Sequence, residues 1–172
     1  LTVREFRQRL RRRRGRLKTT LLDQSFVAGV GNIYADESLW RSRLHPLRSA
    51  DSLNLEQERR LYEAIREVMG EAIDRRGSSV DDYTAPEGGG DMQEHLDVYQ
   101  RTGLPCHRCG RAIRRFELNA RGTHFCSWCQ RLPSADRTAS NLSLVRSSRR
   151  SARRGRNWSE LGGPEVAEQR AH

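Results

Sequence analysis

The sequence predicts a mainly α protein, with a small helical domain, a four-cysteine β-hairpin after it, and a basic tail that lacks a core. Three observations carry this. Apolar residues recur at helical spacing between residues 21 and 73, all four cysteines fall in two Cys-x-x-Cys pairs within residues 106–129, and beyond residue 131 apolar residues stand isolated among Ser and Arg. A chain of 172 residues allows one domain or two small ones. With 35% hydrophobic and 31% charged residues, any core is modest. Apolar runs are a few residues long, far below the ~20 needed to cross a bilayer, so no membrane span or membrane partner is expected.

The net charge of +10 is unevenly spread: residues 1–20 carry +8, residues 21–100 carry −8, residues 101–131 carry +6 and residues 132–172 carry +4. An acidic centre bracketed by basic blocks excludes a uniformly basic disordered protein. The Arg-rich start has no apolar run of signal-peptide type, which points to a cytoplasmic protein, nucleoid-associated if bacterial. The sequence opens on Leu1 rather than methionine and reads as the C-terminal piece of something longer.

Residues 1–18, with the basic run Arg11 to Arg14, read as a linker into the first helix. Residues 21–28 predict a short helix stopped by Gly29. A second helix begins at Asn32, a good N-cap, carries Ile33, Trp40 and Leu44 on one stripe, and ends at His45-Pro46, because a residue before proline is pushed out of helical geometry. The third is the clearest: Asn54 caps, Gln57 occupies the capping-box position, Leu61, Ile65, Val68 and Ala72 repeat at helical spacing, and Gly77 is a natural stop. Residues 78–91 dissolve into small and acidic residues and read as a long loop, with a short helix over 92–99. Residues 132–172 read as a disordered tail. These segments divide into a linker (1–18), a helical domain (19–99), a finger (100–131) and the tail.

Cys106-His107-Arg108-Cys109 and Cys126-Ser127-Trp128-Cys129 form the strongest signal. Two Cys-x-x-Cys turns place four thiolates around one metal, with Zn–S distances of ~2.3 Å, so one structural Zn²⁺ on Cys106, Cys109, Cys126 and Cys129 is expected. Paired disulfides or a redox dithiol are the alternatives, and neither suits an intracellular chain with two such pairs. His107 and His124 are rival ligands, but four thiolates already fill a closed site. Between the pairs, Asn119-Ala120-Arg121-Gly122 reads as the turn of a hairpin with strands near 113–118 and 123–126, Asn and Gly taking positive φ and Arg121 standing at the tip. Arg121 is either a phosphate contact or a solvated turn residue.

Gly29-Val30-Gly31-Asn32 permits close backbone approach just before a helix, whose free N–H groups form an anion site. The other reading is a tight helix–helix connection. As an anion site it lets an acidic block hold a DNA phosphate through backbone amides, with Arg14 and Lys18 supplying the cationic field.

Residues 21–24 and 27–37, His45-Pro46, Cys-x-x-Cys-Gly, residues 121–126 and Cys129-Gln130 together closely resemble the formamidopyrimidine-DNA glycosylase and endonuclease VIII family over roughly residues 11–131. The resemblance implies a helix-two-turn-helix domain and a zinc finger that grip damaged double-stranded DNA as a monomer. It implies that the amides around Gly31 and Asn32, together with Arg14, Lys18 and Arg121, contact DNA, and that residues 78–91 are the lesion-binding loop. The family removes oxidised purines such as 8-oxoguanine and formamidopyrimidine, then nicks the abasic site by β,δ-elimination. Arg121 takes the position credited with proton donation in the second elimination. A guanidinium holds its proton too tightly to be a good acid, and stabilising the departing phosphate is the easier role.

Two departures stand out. Gly90-Asp91-Met92-Gln93 and Val98-Tyr99-Gln100-Arg101 replace the family's Gly-Tyr-Phe-Gln and Val-Tyr-Gly-Arg, which leaves lesion preference open. The family's proline nucleophile, with its neighbouring glutamate and hairpin lysine, belongs to an N-terminal β-rich domain outside these residues. The expectation is the DNA-binding half of a glycosylase/AP lyase that does not cleave alone. Competing readings are a standalone zinc-ribbon DNA-binding protein, an oxidised-pyrimidine-specific relative, and, more remotely, a ribosome-associated protein.

Overall fold

The computed structural model describes residues 1–74 and 95–154. Gly77, the loop 78–91, the start of the helix expected over 92–99 and residues 157–172 lie outside the described residues. In chain order the elements are α1 (Val3–Arg11), α2 (Leu17–Leu22), α3 (Asn32–Arg41), a 3₁₀ turn at Ala50–Ser52, α4 (Leu55–Asp74), β1 (Arg114–Leu118), β2 (Arg121–Phe125), a second 3₁₀ turn at Ser134–Asp136 and α5 (Ala139–Arg154). None of these helices is long and apolar enough to cross a membrane.

The first 18 residues are not a linker. Thr2 and Glu5 form a capping box that starts α1, and α1 buries Phe6 and Leu10 in the helical core. Its arginines are partly internal partners. Arg11 meets Glu58 of α4 through Nε at 2.9 Å and Nη2 at 3.1 Å, and Arg7 Nε lies 3.4 Å from the same carboxylate. Phe6 and Leu10 are the only large buried residues of α1, so amid eight arginines within residues 4–16 its apolar stripe is faint in the sequence.

The helix expected over 21–28 lies earlier, at Leu17–Leu22. Carbonyls from the segment after α3 receive its first N–H groups, Leu17 N to Arg48 O at 2.7 Å and Lys18 N to Pro46 O at 3.0 Å. Residues 23–30 then turn. Gln24 braces this loop by accepting from Gly29 N at 2.9 Å and donating to Val30 O at 3.0 Å. Gly29 has φ +88, a conformation that selects glycine, and a Cβ there would lie 3.1 Å from Met69 Cε of α4.

α3 starts at Asn32, but Gly31 is the cap residue and no side chain caps the end. The helix stops at Arg41, before His45-Pro46. The Ser42 hydroxyl donates back to Ser38 O at 2.8 Å, Arg43 takes φ +58, and Leu44 N closes onto Leu39 O at 3.0 Å. In α4 the Asn54/Gln57 capping box forms as expected, with reciprocal bonds of 3.0 and 2.9 Å.

Phe6, Leu10, Leu17, Leu21, Phe26, Val30, Ala35, Leu39, Leu44, Leu61 and Ile65 make one apolar cluster among α1 to α4. Trp40, Val98, Ile113, Cys106 and Cys126 make a second, and Leu47, Phe116, Leu118 and Phe125 a third. The hairpin therefore packs against the helical unit through two separate clusters. It is antiparallel, with Arg114 opposite Phe125 and Leu118 opposite Arg121. Its turn is only Asn119-Ala120, both left-handed at φ 52 and 59, which suits the twist of a two-residue hairpin. Arg121 is thus the first residue of β2 rather than the tip.

The tail expectation is corrected over residues 139–154, which form α5. Asn141, Leu144, Val145, Ser148 and Ala152 recur at helical spacing; Asn141, Ser148 and Ala152 are buried, and Leu144 and Val145 pack on the third cluster. Small and polar residues on this face concealed it from a reading based on apolar periodicity. Asn141 anchors the helix: its Nδ2 donates to Asp136 O at 2.8 Å and its Oδ1 accepts from Arg16 Nε at 2.8 Å. Asn141→Ala removes both and leaves a part-buried guanidinium short of a partner. We expect about 1–3 kcal/mol of destabilisation in denaturant unfolding.

Candidate DNA-binding site and metal centre

The four cysteine sulfurs lie within 4.8 Å of one another. Cys106–Cys129 is 3.9 Å and Cys109–Cys126 is 3.5 Å, far beyond the ~2.05 Å of a disulfide and close to the ~3.8 Å edge of a tetrahedron with 2.3 Å bonds. Backbone donors already face the sulfurs, Arg108 N to Cys106 Sγ at 3.4 Å and Cys129 N to Cys126 Sγ at 3.5 Å. Gly110, at φ +75, turns the first knuckle. The residues fit one structural zinc held by four thiolates, and zinc there supplies a cross-link between loops rather than chemistry. Both rival histidines are engaged elsewhere: His107 Nδ1 is 3.0 Å from Asp97 Oδ1, and His124 Nδ1 is 3.1 Å from Asp36 Oδ2.

The hairpin is locked to the helices by a buried polar node. Lys18 is fully buried, its Nζ 2.6 Å from Asp36 Oδ1, and it donates to Gly122 O at 3.0 Å and Thr123 Oγ1 at 2.9 Å. Asp36 Oδ2 also accepts from His124 N at 2.9 Å. Asn32 Nδ2 donates to the same Gly122 carbonyl at 3.1 Å. Burial pulls the Lys18 ammonium below the usual lysine range, and the Asp36 carboxylate opposes that shift. A neighbouring acid, Glu37, accepts N–H bonds from Asp97, Val98 and Tyr99, each at 2.9 Å. Burial pushes its carboxyl up while those donors hold it back.

The expectation that Lys18 faces DNA is therefore corrected: its side chain points inward and its charge is matched inside the protein. Asn32 likewise directs its amide at the hairpin. Gly31 is different. Its φ is −90, and a Cβ added there would meet nothing within 4 Å, so neither strain nor internal packing calls for glycine. Arg14 and Arg121 are exposed. Arg121 follows the Asn119-Ala120 turn and immediately precedes Gly122, whose carbonyl Lys18 and Asn32 hold. The structure thus brings Arg121 beside the uncapped start of α3.

Sequence reasoning missed Asp36, Thr123 and His124 as members of the site. Taken residue by residue, nothing in the local sequence separates Asp36 from a solvent-facing helical acid. The available signal was its spacing: Asn32, Asp36 and Trp40 are four apart and line one face of α3, and each reaches the finger, Trp40 by donating from Nε1 to Cys106 Sγ at 3.4 Å.

Two expected outcomes follow from this geometry. Asp36→Leu strands a buried ammonium and should cost about 3–5 kcal/mol in an unfolding titration, whereas a surface ion pair would cost under ~1 kcal/mol. Stoichiometric zinc removal by a chelator should unfold the hairpin, since structural zinc supplies on the order of 10 kcal/mol of folding free energy. Loss of the near-ultraviolet signal of Trp40, next to Cys106, reports it.

Residues 1–84 match the H2TH domain of formamidopyrimidine-DNA glycosylases, and residues 103–132 match the zinc finger found in FPG and IleRS. The formamidopyrimidine-DNA glycosylase of Heliobacterium modesticaldum is 56% identical over 128 residues, covering 74% of this chain and 46% of that protein. That of Herpetosiphon aurantiacus is 50% identical over 130 residues, 75% of this chain and 48% of that protein. Among solved structures, the MutM (Fpg) protein of Thermus thermophilus superposes with a TM-score of 0.66 at 49% identity, covering 75% of this chain and 50% of that one. The Lactococcus lactis Fpg in complex with DNA containing an abasic site superposes with a TM-score of 0.67 at 39% identity, covering 76% of this chain and 48% of that one. The chain spans about half the length of the relatives it matches. With the H2TH domain and the finger in succession, and relatives of this identity across both, the chain belongs to the formamidopyrimidine-DNA glycosylase family.

Proposed function

We propose that this chain is the DNA-binding half of a base-excision-repair glycosylase/AP lyase that removes oxidised purines and nicks the abasic site by β,δ-elimination. The observation that carries the reading is the juxtaposition of an exposed Arg121 with the uncapped N-terminus of α3, fixed by the Lys18–Asp36 node. A helix start presents N–H donors and a partial positive charge, and an arginine beside it adds a planar, permanently charged donor set, the combination that suits a backbone phosphate. Gly31 supports this, because open space where a Cβ would stand lets a ligand approach the backbone. Exposed Arg14 adds positive charge on the segment between α1 and α2.

Damaged duplex DNA is the proposed partner, consistent with the DNA complexes of Lactococcus lactis Fpg. Within this reading Arg121 stabilises negative charge on a phosphate and does not supply the proton, because a guanidinium is a permanently charged donor and a poor acid. The chain by itself is proposed to bind such DNA as a monomer without cutting it, because the family's proline nucleophile has no counterpart among these residues.

Arg121→Ala should weaken binding to an abasic-site duplex and reduce the slope of log K against log salt by about 0.9, the signature of one lost phosphate contact. An unchanged slope rejects the assignment. Borohydride treatment of the 172-residue chain with an abasic duplex should trap no covalent complex. A trapped complex would show that the chain carries its own nucleophile.

A further inference from the structure

α5 lies beyond the residues matched by the two domain models, which end at residue 132. It encloses a cleft of about 380 Å³ against the end of the hairpin. Arg114 of β1, Phe125 of β2, Arg131, Arg137, Arg149 of α5 and His45 line it, and no carboxylate does. This contrasts with the helical unit, where Arg11 pairs with Glu58, Arg13 with Asp23 and Arg41 with Glu71. None of the four cleft arginines has a carboxylate within ion-pair distance among the described residues.

Two of the cleft arginines are held in place by contacts of their own. Arg131 stacks 3.9 Å from the centre of the Trp128 ring, and Arg137 Nε donates to Leu132 O at 3.2 Å. Burial and the nearby Arg149 hold the Arg114 guanidinium below its ordinary range. Burial keeps His45 neutral, its pKa pushed down to about 3, so it adds no further charge. Gathering four cations in a partly closed space raises the energy of the unliganded state, and an oxyanion offsets it. Guanidinium groups favour phosphate, which they meet with two parallel hydrogen bonds. Phe125 in the wall lies four residues beyond Arg121 on the same strand, about 13 Å at ~3.3 Å per residue. A second contact at that distance would fall a few nucleotides along the backbone from the first, since a duplex rises ~3.4 Å along its axis per nucleotide of each strand.

We propose that this cleft is a second phosphate-binding site, engaging the DNA backbone several nucleotides from Arg121. The proposal rests on the DNA-binding reading above and extends it to a part of the chain that the domain models do not reach.

The test compares the zinc-loaded full chain with its Arg114→Gln/Arg149→Gln variant on one duplex across a salt series. Loss of two contacts should lower the slope of log K against log salt by about 1.8, weaken binding about 60-fold near 0.1 M salt, and change little near 1 M. The charge-preserving Arg114→Lys/Arg149→Lys variant should keep the wild-type slope. If the Gln variant binds as wild type does, the second site falls while the DNA-binding reading stands. If the wild type shows no salt-dependent duplex binding, that reading falls and this one with it. If the Lys variant loses as much slope as the Gln variant, charge is not the cause and the site is rejected. Inorganic pyrophosphate serves as the free-ligand probe. Stabilisation of the wild type but not of the Gln variant, with DNA slopes unchanged, assigns the cleft to a small polyphosphate and overturns the DNA assignment.

Discussion

The ammonium of Lys18, fully buried where two helices meet the hairpin, is the constraint on which the placement of the hairpin against the helical unit depends. Placed there it must be paired, because an isolated buried cation costs several kcal/mol. Asp36 supplies the charge, and Gly122 O and Thr123 Oγ1 complete its hydrogen bonds. Such a pair does little for net stability, since desolvation consumes much of the Coulombic gain. Its effect is on geometry. A rotation of the hairpin about its zinc knuckles would break the Lys18, Asn32 and His124 contacts together. The backbone of Arg121, one residue before Gly122, therefore keeps a fixed offset from the start of α3.

The node also changes how the charge pattern reads. Much of the basic N-terminal block is matched internally, Arg7 and Arg11 by Glu58, Arg13 by Asp23 at 2.6 Å and Lys18 by Asp36. The acidic centre is drawn down by the same pairs, and by Arg41 with Glu71 at 2.7 Å. The −8 of residues 21–100 is therefore not a uniformly repelling surface, and the exposed arginines at positions 14 and 121 stand out against a partly neutralised background. Salt screens charges separated by more than ~8–10 Å, so local groups decide what a phosphate meets, not the block totals.

What the sequence made legible followed from local rules. The Asn54/Gln57 capping box, the two Cys-x-x-Cys pairs and the existence of a hairpin between them depend on residues close in sequence, and these stand where expected, while the hairpin's turn is two residues shorter and leaves Arg121 in β2. The residues that escaped depend on partners far along the chain. Lys18 reaches Thr123, Glu37 reaches the amides of residues 97–99, and Asn141 reaches Arg16. A buried lysine and a DNA-facing lysine look alike in a basic run, and only the tertiary partner separates them. α5 escaped for a different reason: Ser, Asn and Ala on its inner face carry little hydrophobic signal, and its arginines give it the composition of a disordered tail.

α3 explains why so short an element can organise two units. All residues from Ala35 to Trp40 are buried, so the helix has no solvent stripe and gives almost no amphipathic signal. Ala35 and Leu39 face the helical cluster, while Asn32, Asp36 and Trp40 reach the finger at Gly122, at His124 and at the zinc knuckle in turn. Arg108 of that knuckle returns the contact, stacked 3.9 Å from the centre of the Trp40 ring and donating to Trp40 O at 3.2 Å. Metal, node and helix are thereby mechanically in series. A disturbance at the cysteines reaches Trp40, passes along a rigid helix only about 15 Å long at ~1.5 Å per residue, and arrives at Gly31 and Asn32. A zinc ion that touches no substrate can in this way govern the shape of a surface one helix length away, because its knuckle and that surface are opposite ends of the same ten residues.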